Sequence, residues 1–403
     1  MRRARRLEEV IFWHVFDRPL CLRSDIGQRF GISPATVSRA VSSLLDCKLL
    51  VEASAEVTSP GRKPQSLRIN PQLAVLLGID IQVDGVLAVV TDIAGTLLGR
   101  GAIRCDAEEG VDSVVKASLK AADAAIEDAE VPRSQIRHLG VGHGGDLDIQ
   151  NGICLTWANA PNWKNVPVRD LLQAAFGLNV TMDDRSRATA LAERHTSPED
   201  WDHTDAIYIG CNPGIGMGFF ADGRLYRGAS QGGSELGHTV IDPNGPLCRC
   251  GKRGCVEAFA GTVSIVQYVR GALGRGVTSS LRELPDAEVN LRAIATAARR
   301  GDPLASEAMT RAGNALGTAI ANAVQVLNPS LVVLSGQLLR VAGPEILDAV
   351  SSAVRTQCVE TAARRVEVRL SRPKKDISAI GCALLAAEAE AEHALRSKFS
   401  EED

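Results

Sequence analysis

The run "LCRCGKRGCVEAF", residues 247–259, places Cys248, Cys250 and Cys255 within eight positions. Gly251, Lys252, Arg253 and Gly254 lie between the second and third thiols. Thiols this close serve either a metal ion or a packed cluster of buried or disulfide-bonded sulfur. The choice depends on what surrounds them in the chain.

The chain has 403 residues, too many for one ordinary core, so two or three domains are expected. Hydrophobic residues make up 45%, but aromatics only 4%, which leaves packing to alanine, valine and leucine. The opening "MRRARRLEEVIFWHVF" turns charged and reaches no cleavage pattern. No apolar run approaches the roughly 20 residues of a membrane span. A cytoplasmic protein with reduced thiols and no membrane partner is expected. The net charge of −3 is unevenly spread. Residues 1–70 carry twelve Lys/Arg against seven acids, a net +5 that leaves −8 for the rest. A basic head on an acidic body points to a polyanion as the head's partner.

Three short helices are expected in that head, at about Arg6–Phe16, Ser24–Phe30 and Pro34–Asp46. The first places Leu7, Val10, Ile11, His14 and Val15 on one stripe. Gly31 turns the chain, Ser33 suits an N-cap and Pro34 the first helical position. In the third helix Val37, Ala40, Val41, Leu44 and Leu45 recur at inward spacing. The face left outward is small and polar. Ser33, Ala35, Thr36, Ser38, Arg39 and Ser42 are its candidate DNA contacts: hydroxyls for phosphate or base edges, and a guanidinium that can fork onto guanine. The following "LLVEASAEVTSPGRKPQSLRIN" reads as a two-stranded wing with Arg62 and Lys63 at its tip, placed to enter a minor groove or clamp phosphates. The head reads as a winged helix-turn-helix for double-stranded operator DNA.

The remainder is α/β. "LLGIDIQVDGVLAVVTDIAGTLLGRGAI" is two hairpins in a row, with turns at Asp84-Gly85 and Ala94-Gly95. A helix at about Gly110–Ala129 and a strand, "IRHLGVG", follow. "DAIYIGCNPGIGMGFFADGRLYRGA" repeats the strand–turn–strand start, and a late strand, "LVVLSG", precedes another helix. A duplicated fold of two lobes with a cleft is expected, the last helix (about Asp376–Phe399) packing back on the first lobe.

Over nearly its whole length the chain resembles the ROK family of repressors, open reading frames and sugar kinases. The resemblance rests on "SPATVSRAVSSLL", "SPGRKP", "NAPNWKNVPV", "GIGMGFFADGRLYRGASQGGSELGH" and "CRCGKRGCVEAFAG". It implies an actin/hexokinase-like (ribonuclease H-like) body and, through the head, membership of the repressor branch. The expected domains are 1–72 for the head, 73–182 with 376–399 for lobe 1, and 183–375 for lobe 2. The resemblance assigns the thiols to a zinc site with His238, Cys248, Cys250 and Cys255 as ligands. One nitrogen and three sulfurs satisfy zinc's tetrahedral preference and leave no open position, so the Zn2+ is expected to be structural. Lys252 and Arg253 can offset the excess charge of three thiolates.

The resemblance also implies a sugar site contacted by Asn159, Glu235, His238 and Glu257. An amide and carboxylates suit paired hydroxyls, and a metal would fix the His238 ring. Kinases of the family carry Asn-Asp before a helix like that of "VTMDDRSRATALAER", and the aspartate takes the sugar's proton. Counting back from Glu193, that position is Arg185, which cannot act as a base at neutral pH. In "DIQVDG" Asp80 is kept, but Gln82 and Asp84 replace the glycine and threonine of the family's phosphate motif. Gly144 replaces a proline and Ser335-Gly336 a Gly-Gly pair, while Gly214, Gly216 and Gly218 remain. The expectation is a non-enzymatic, sugar-responsive regulator acting as a homodimer or homotetramer, with an ATP-dependent sugar kinase as the alternative. Arg185 leaves two readings open. It favours an anionic effector such as a sugar phosphate or sugar acid, or it pairs internally with Glu257 or Glu235 and fills the site.

Overall fold

The computed structural model describes residues 7–54, 65–372 and 374–399. The head opens with α1 (Leu7–Asp17), β1 (Cys21–Leu22), α2 (Arg23–Phe30) and α3 (Pro34–Asp46), followed by β2 (Leu50–Ser54) and β3 (Gln65–Ile69). Gly31, at φ 65°, ends α2 in the left-handed region. Ser33 then caps α3, its hydroxyl accepting the Thr36 N–H at 3.3 Å, and Pro34 takes the first turn. β3 pairs antiparallel with both β1 and β2. In α3, Val37, Ala40, Val41 and Leu44 are buried as their spacing predicts, with Leu45 half-buried. The α1 stripe is rotated from the expected one. Ile11, Phe12, Val15 and Phe16 are buried, while Leu7, Val10 and His14 are half-buried. The two phenylalanines carry more apolar area and pack edge-on against Trp13, at 5.7 and 5.3 Å between centroids.

The first unit continues with β4 (Val75–Gln82), β5 (Gly85–Asp92), β6 (Leu97–Arg104), α4 (Val111–Asp128) and β7 (Ile136–His143). Three short strands follow: β8 (Asp146–Asp148), β9 (Ile153–Thr156) and β10 (Lys164–Val166). Then come α5 (Val168–Phe176), β11 (Asn179–Asp184) and α6 (Arg185–His195). The main sheet has the order β11-β7-β4-β5-β6. β4, β5 and β6 form an antiparallel meander, and β7 and β11 add parallel to β4. The first turn uses Val83 and Asp84, so Gly85 opens β5 rather than closing the turn as expected.

The second unit holds β12 (Ala206–Cys211), β13 (Ile215–Ala221), β14 (Arg224–Leu225), α7 (Val256–Ala260), α8 (Thr262–Gly274), α9 (Leu291–Arg299) and α10 (Pro303–Leu327). It ends with β15 (Leu331–Ser335), α11 (Gln337–Gln357), α12 (Glu360–Ala363) and β16 (Glu367–Leu370). Its sheet order is β14-β13-β12-β15-β16. The first strand is central, a meander lies on one side, and two parallel strands lie on the other. The first unit has the same order, so the duplication expected from the two strand–turn–strand starts holds at the level of topology. Asp222-Gly223 makes the β13–β14 turn, both residues at positive φ (51° and 77°), as a tight hairpin requires.

The last helix, α13 (Ile377–Phe399), returns to the first unit. Side chains alternate on β4. Leu77, Ile79 and Ile81 join the core under α4, while Gly78 faces α13. Small residues let the helix backbone sit on the sheet. A Cβ at Gly140 would lie 1.7 Å from the Cys382 carbonyl oxygen, and one at Gly78 would lie 2.3 Å from that of Ala379. Ala379, Leu384, Ala387 and Leu395 of α13 share one apolar core with Ile11, Phe12, Val41 and Leu67 of the head. The chain therefore divides differently from the expected 72/73 and 182/183 boundaries. One compact unit takes the chain through Pro198 and again from Asp376, and the other is Glu199–Lys375. The head's core is continuous with that of the first sheet, and α6 packs on α13. Among the described residues no helix is long and apolar enough to cross a membrane.

Replacing Gly140 by alanine is expected to destabilise the protein by about 2–4 kcal/mol, because backbone on both sides must move. Gly274, exposed at the end of α8 with nothing within 4 Å of its Cβ position, is the control. Gly274→Ala should leave the midpoint of thermal unfolding unchanged or raise it slightly.

Candidate functional site

The outward face of α3 exposes Ser33, Ala35, Ser38, Arg39 and Ser42, with Thr36 half-buried. Ser33 is partly committed, since its hydroxyl caps the helix and lies 2.9 Å from the Thr36 hydroxyl. Ser38, Arg39, Ser42, Ser43, Asp46 and Cys47 line a shallow depression along the helix. Arg62 and Lys63, the expected wing contacts, lie outside the described residues.

In the second unit the chain folds back on itself between His238 and Cys255. Val240 bridges Cys255, Leu247 bridges Arg253, and Cys248 N–H donates to the Lys252 carbonyl at 2.7 Å. Gly254 is required at φ 73°, because a Cβ there would lie 1.5 Å from the Asp242 carbonyl oxygen. This fold brings the side chains of His238, Cys248, Cys250 and Cys255 together, with their ligand atoms all within 4.8 Å of one another. Cys250 Sγ lies 3.7 Å from Cys255 Sγ, and Cys248 Sγ lies 3.7 Å from His238 Nδ1. A zinc tetrahedron with sulfur bonds of about 2.3 Å has edges of roughly 3.8 Å, so the donor set fits a closed metal site. Burial, followed by the hydrogen bond to Cys250 and the neighbouring sulfur charges, pushes the Cys255 thiol up to about 12. Burial also raises Cys248. At Cys250 burial acts upward too, but the Lys252 backbone N–H, hydrogen bonds from the other two thiols and the Lys252 charge outweigh it, and its pKa is lowered. A bound cation would hold all three as thiolates.

The five expected effector residues divide between the two units. Asn159, half-buried between β9 and β10, and Arg185 belong to the first, whereas Glu235, His238 and Glu257 belong to the second. Glu257 is buried in α7. Its Oε2 accepts the Ile215 N–H at 3.1 Å, and its Oε1 lies 3.4 Å from Arg249. A Cβ at Gly214 would meet that carboxylate at 2.6 Å, so this glycine of "GIGMG" is required by packing within the unit.

Arg185 is the first residue of α6, at the carboxyl end of β11. Its ion pair within the first unit is with Asp80, Nε to Oδ1 at 3.9 Å, a partner that sequence reasoning did not name. Asp80 is fully buried, and its Oδ2 accepts from Gln82 Nε2 and Ser378 Oγ, both at 2.6 Å. The remaining acids are also engaged. Asp184 caps α6 through the Ser186 and Arg187 N–H groups, and burial raises its pKa. Asp183 binds the buried Arg187 at 2.6 Å. Sequence reasoning also missed His143, at the end of β7. Its ring lies 4.6 Å from Trp157 and 5.0 Å from Trp163. Burial lowers its pKa to about 4, opposed by the Gly144 carbonyl and assisted by the Arg185 charge. Nδ1 donates to the Gly144 carbonyl, so the neutral ring presents Nε2 as an acceptor. Nε2 is enclosed and meets no donor among the described residues, at a cost of about 1–3 kcal/mol. The two tryptophans of "TWANAPNW" were the available signal.

The ROK family model matches residues 76–389, most of the chain. The chain belongs to the ROK family. Its body has the family's actin/hexokinase-like fold, and the head lies outside the matched range. The chain is 25% identical over 372 residues to the xylose repressor of Caldicellulosiruptor bescii, covering 91% of this chain and 92% of that protein. A crystal structure of a ROK family transcriptional regulator, a homologue of the E. coli MLC protein, matches with a TM-score of 0.76 and 25% identity over 98% of both chains. The ROK hexokinase of Thermus thermophilus matches with a TM-score of 0.66 and 27% identity, covering 79% of this chain and 99% of its own. ROK regulators and ROK kinases are thus both structural neighbours, and the regulator is the one that extends over the head.

Two outcomes are expected. The purified protein should carry about one zinc by elemental analysis. Cys255→Ser or chelation at elevated temperature should remove it and lower the melting temperature, because metal binding contributes folding free energy on the order of 10 kcal/mol in such sites. In the acid range, the unfolded chain binds a proton at His143 below its ordinary value of 6.5, while the folded protein does so only near about 4. Stability should therefore fall as pH drops through that window, and His143→Phe should flatten the dependence of the urea midpoint on pH.

Proposed function

We propose that the chain is a DNA-binding transcriptional regulator, acting as a repressor, whose body senses a sugar or sugar phosphate. The observation that carries this reading is the head. Three helices and a hairpin precede a ROK body, and the third helix turns Ser38, Arg39 and Ser42 outward while its apolar face is buried. That arrangement is read as a winged helix-turn-helix with α3 in the major groove and Arg39 on a guanine edge. The basic charge of residues 1–70 supports a phosphate-backbone partner. The resemblance to a xylose repressor over nine-tenths of the chain supports a carbohydrate-linked regulator. A homodimer or homotetramer would set two heads on a palindromic operator. Asn159, Glu235, His238 and Glu257 are the proposed sugar contacts, and Arg62 and Lys63 complete the DNA contacts from the wing. The four-ligand metal site is proposed to hold structural zinc, which would cross-link the segment without activating water. The setting is taken as cytoplasmic, where operator DNA lies.

Phosphoryl transfer is proposed to be absent. Arg185 stands where the kinases of the family keep their base, and the adjacent carboxylate of Asp184 is committed to capping α6. Binding-site selection from random-sequence duplexes should recover a palindromic site. Arg39→Ala should weaken binding to that site by about tenfold or more, with the thermal midpoint unchanged. Uniform weakening on every duplex would instead assign Arg39 to phosphate. With ATP and a panel of hexoses, a coupled assay should register no turnover. Turnover would establish the kinase alternative.

A further inference from the structure

The carboxylates around Arg185 leave its guanidinium unspent. Asp183 is bound to Arg187, Asp184 caps the helix, and Asp80 Oδ2 takes hydrogen bonds from Gln82 and Ser378. Arg185 forms no hydrogen bond through its side chain with any described residue, and 30% of that side chain is exposed. Only its Nε edge approaches Asp80, at 3.9 Å, and the buried Oδ1 there accepts no hydrogen bond. The terminal edge of the guanidinium, which matches the geometry of a carboxylate or phosphate, is uncommitted. It sits at the carboxyl ends of β4, β7 and β11, where open α/β sheets place their ligands: Asp80 pairs in register with Gly142, and Asp184 with His143.

We propose that the effector is an anionic carbohydrate, held through its carboxylate or phosphate by the Arg185 fork, and that Ser378 relays its binding to the head through α13. This rests on the reading of the body as a sensor. Asp80 is the junction, because Arg185 faces one of its oxygens and Ser378, in the first turn of α13, donates to the other. An anion that draws Arg185 away from Asp80 removes a neighbouring cation from the carboxylate that anchors α13. The same helix contributes Leu384, Ala387 and Leu395 to the head's core. The far end of the helix therefore registers a change at its near end, provided the helix moves as a rigid element.

The test uses the full-length protein and calorimetric titration with glucose, glucose 6-phosphate, glucuronate and inorganic phosphate. Glucose 6-phosphate or glucuronate should bind about tenfold or more tightly than glucose, and the tighter of the two names the anion's chemistry. Arg185→Gln should abolish that preference while keeping its metal content and melting temperature. Ser378→Ala should bind the same probe with unchanged affinity, but its DNA complex should no longer respond to it. The proposal is overturned by glucose binding as tightly as the anions, by inorganic phosphate binding as tightly as the sugar phosphate, by no probe binding, or by indifference to Arg185→Gln. Its relay is overturned if Ser378→Ala responds like the wild type. DNA retardation without any probe decides the regulator reading separately.

Discussion

The contact that the rest of the first unit depends on is the close approach of α13 to the sheet. It is possible because Gly78 and Gly140 have no side chains where the helix backbone passes, and because Gly381 lets α6 approach the same helix, where a Cβ would lie 1.9 Å from the Ala188 carbonyl oxygen. Close packing without voids makes such a contact strongly specific, since one added methyl group has nowhere to go. Once α13 is seated, three things follow. The carboxylate of Asp80 gains a donor in Ser378, α6 is fixed with Arg185 at its start, and the head acquires a core that is not its own. A separately folded head would need to bury its aromatic residues internally. Here Phe12 and Phe16 sit in a core that includes Leu76, Val89 and α13.

The two sheets have one topology and different uses. In the first, the carboxyl ends of the parallel strands collect charge: Asp80, Asp183, Asp184, Arg185 and Arg187. Asp183 and Arg187 pair in buried positions and Asp184 caps α6, arrangements that fix geometry more than they add stability. In the second, the corresponding investment is in a metal-ligand cluster and a buried carboxylate, Glu257, tied to the backbone of β13 and to Arg249. Three sulfurs, two of them buried, have little apolar area to gain from one another. Their proximity suits a metal ion, which would offset the cost of ionising them.

The chain's own sequence determined much of this through short-range chemistry. Ser33-Pro34 set the start of α3, the 3.6-residue recurrence of Val37, Ala40, Val41 and Leu44 set its buried face, and Asp222-Gly223 set a hairpin. The cysteine spacing set the His/Cys cluster, and Asp184 set the start of the helix that opens with Arg185. Each of these is written within a few residues, so local rules suffice. What tertiary structure decided involves partners far apart in sequence. Ser378 meets Asp80 across 298 positions, and the head shares its core with the last helix. Phe12 and Phe16 displaced Val10 and His14 because packing area, not periodicity, selects the buried side of a short helix that is apolar nearly all round. The unit boundary fell after α6 instead of before it because that helix packs on α13. No spacing in the sequence encodes which carboxylate an arginine will face. That is fixed only when strand register and helix docking bring the two together.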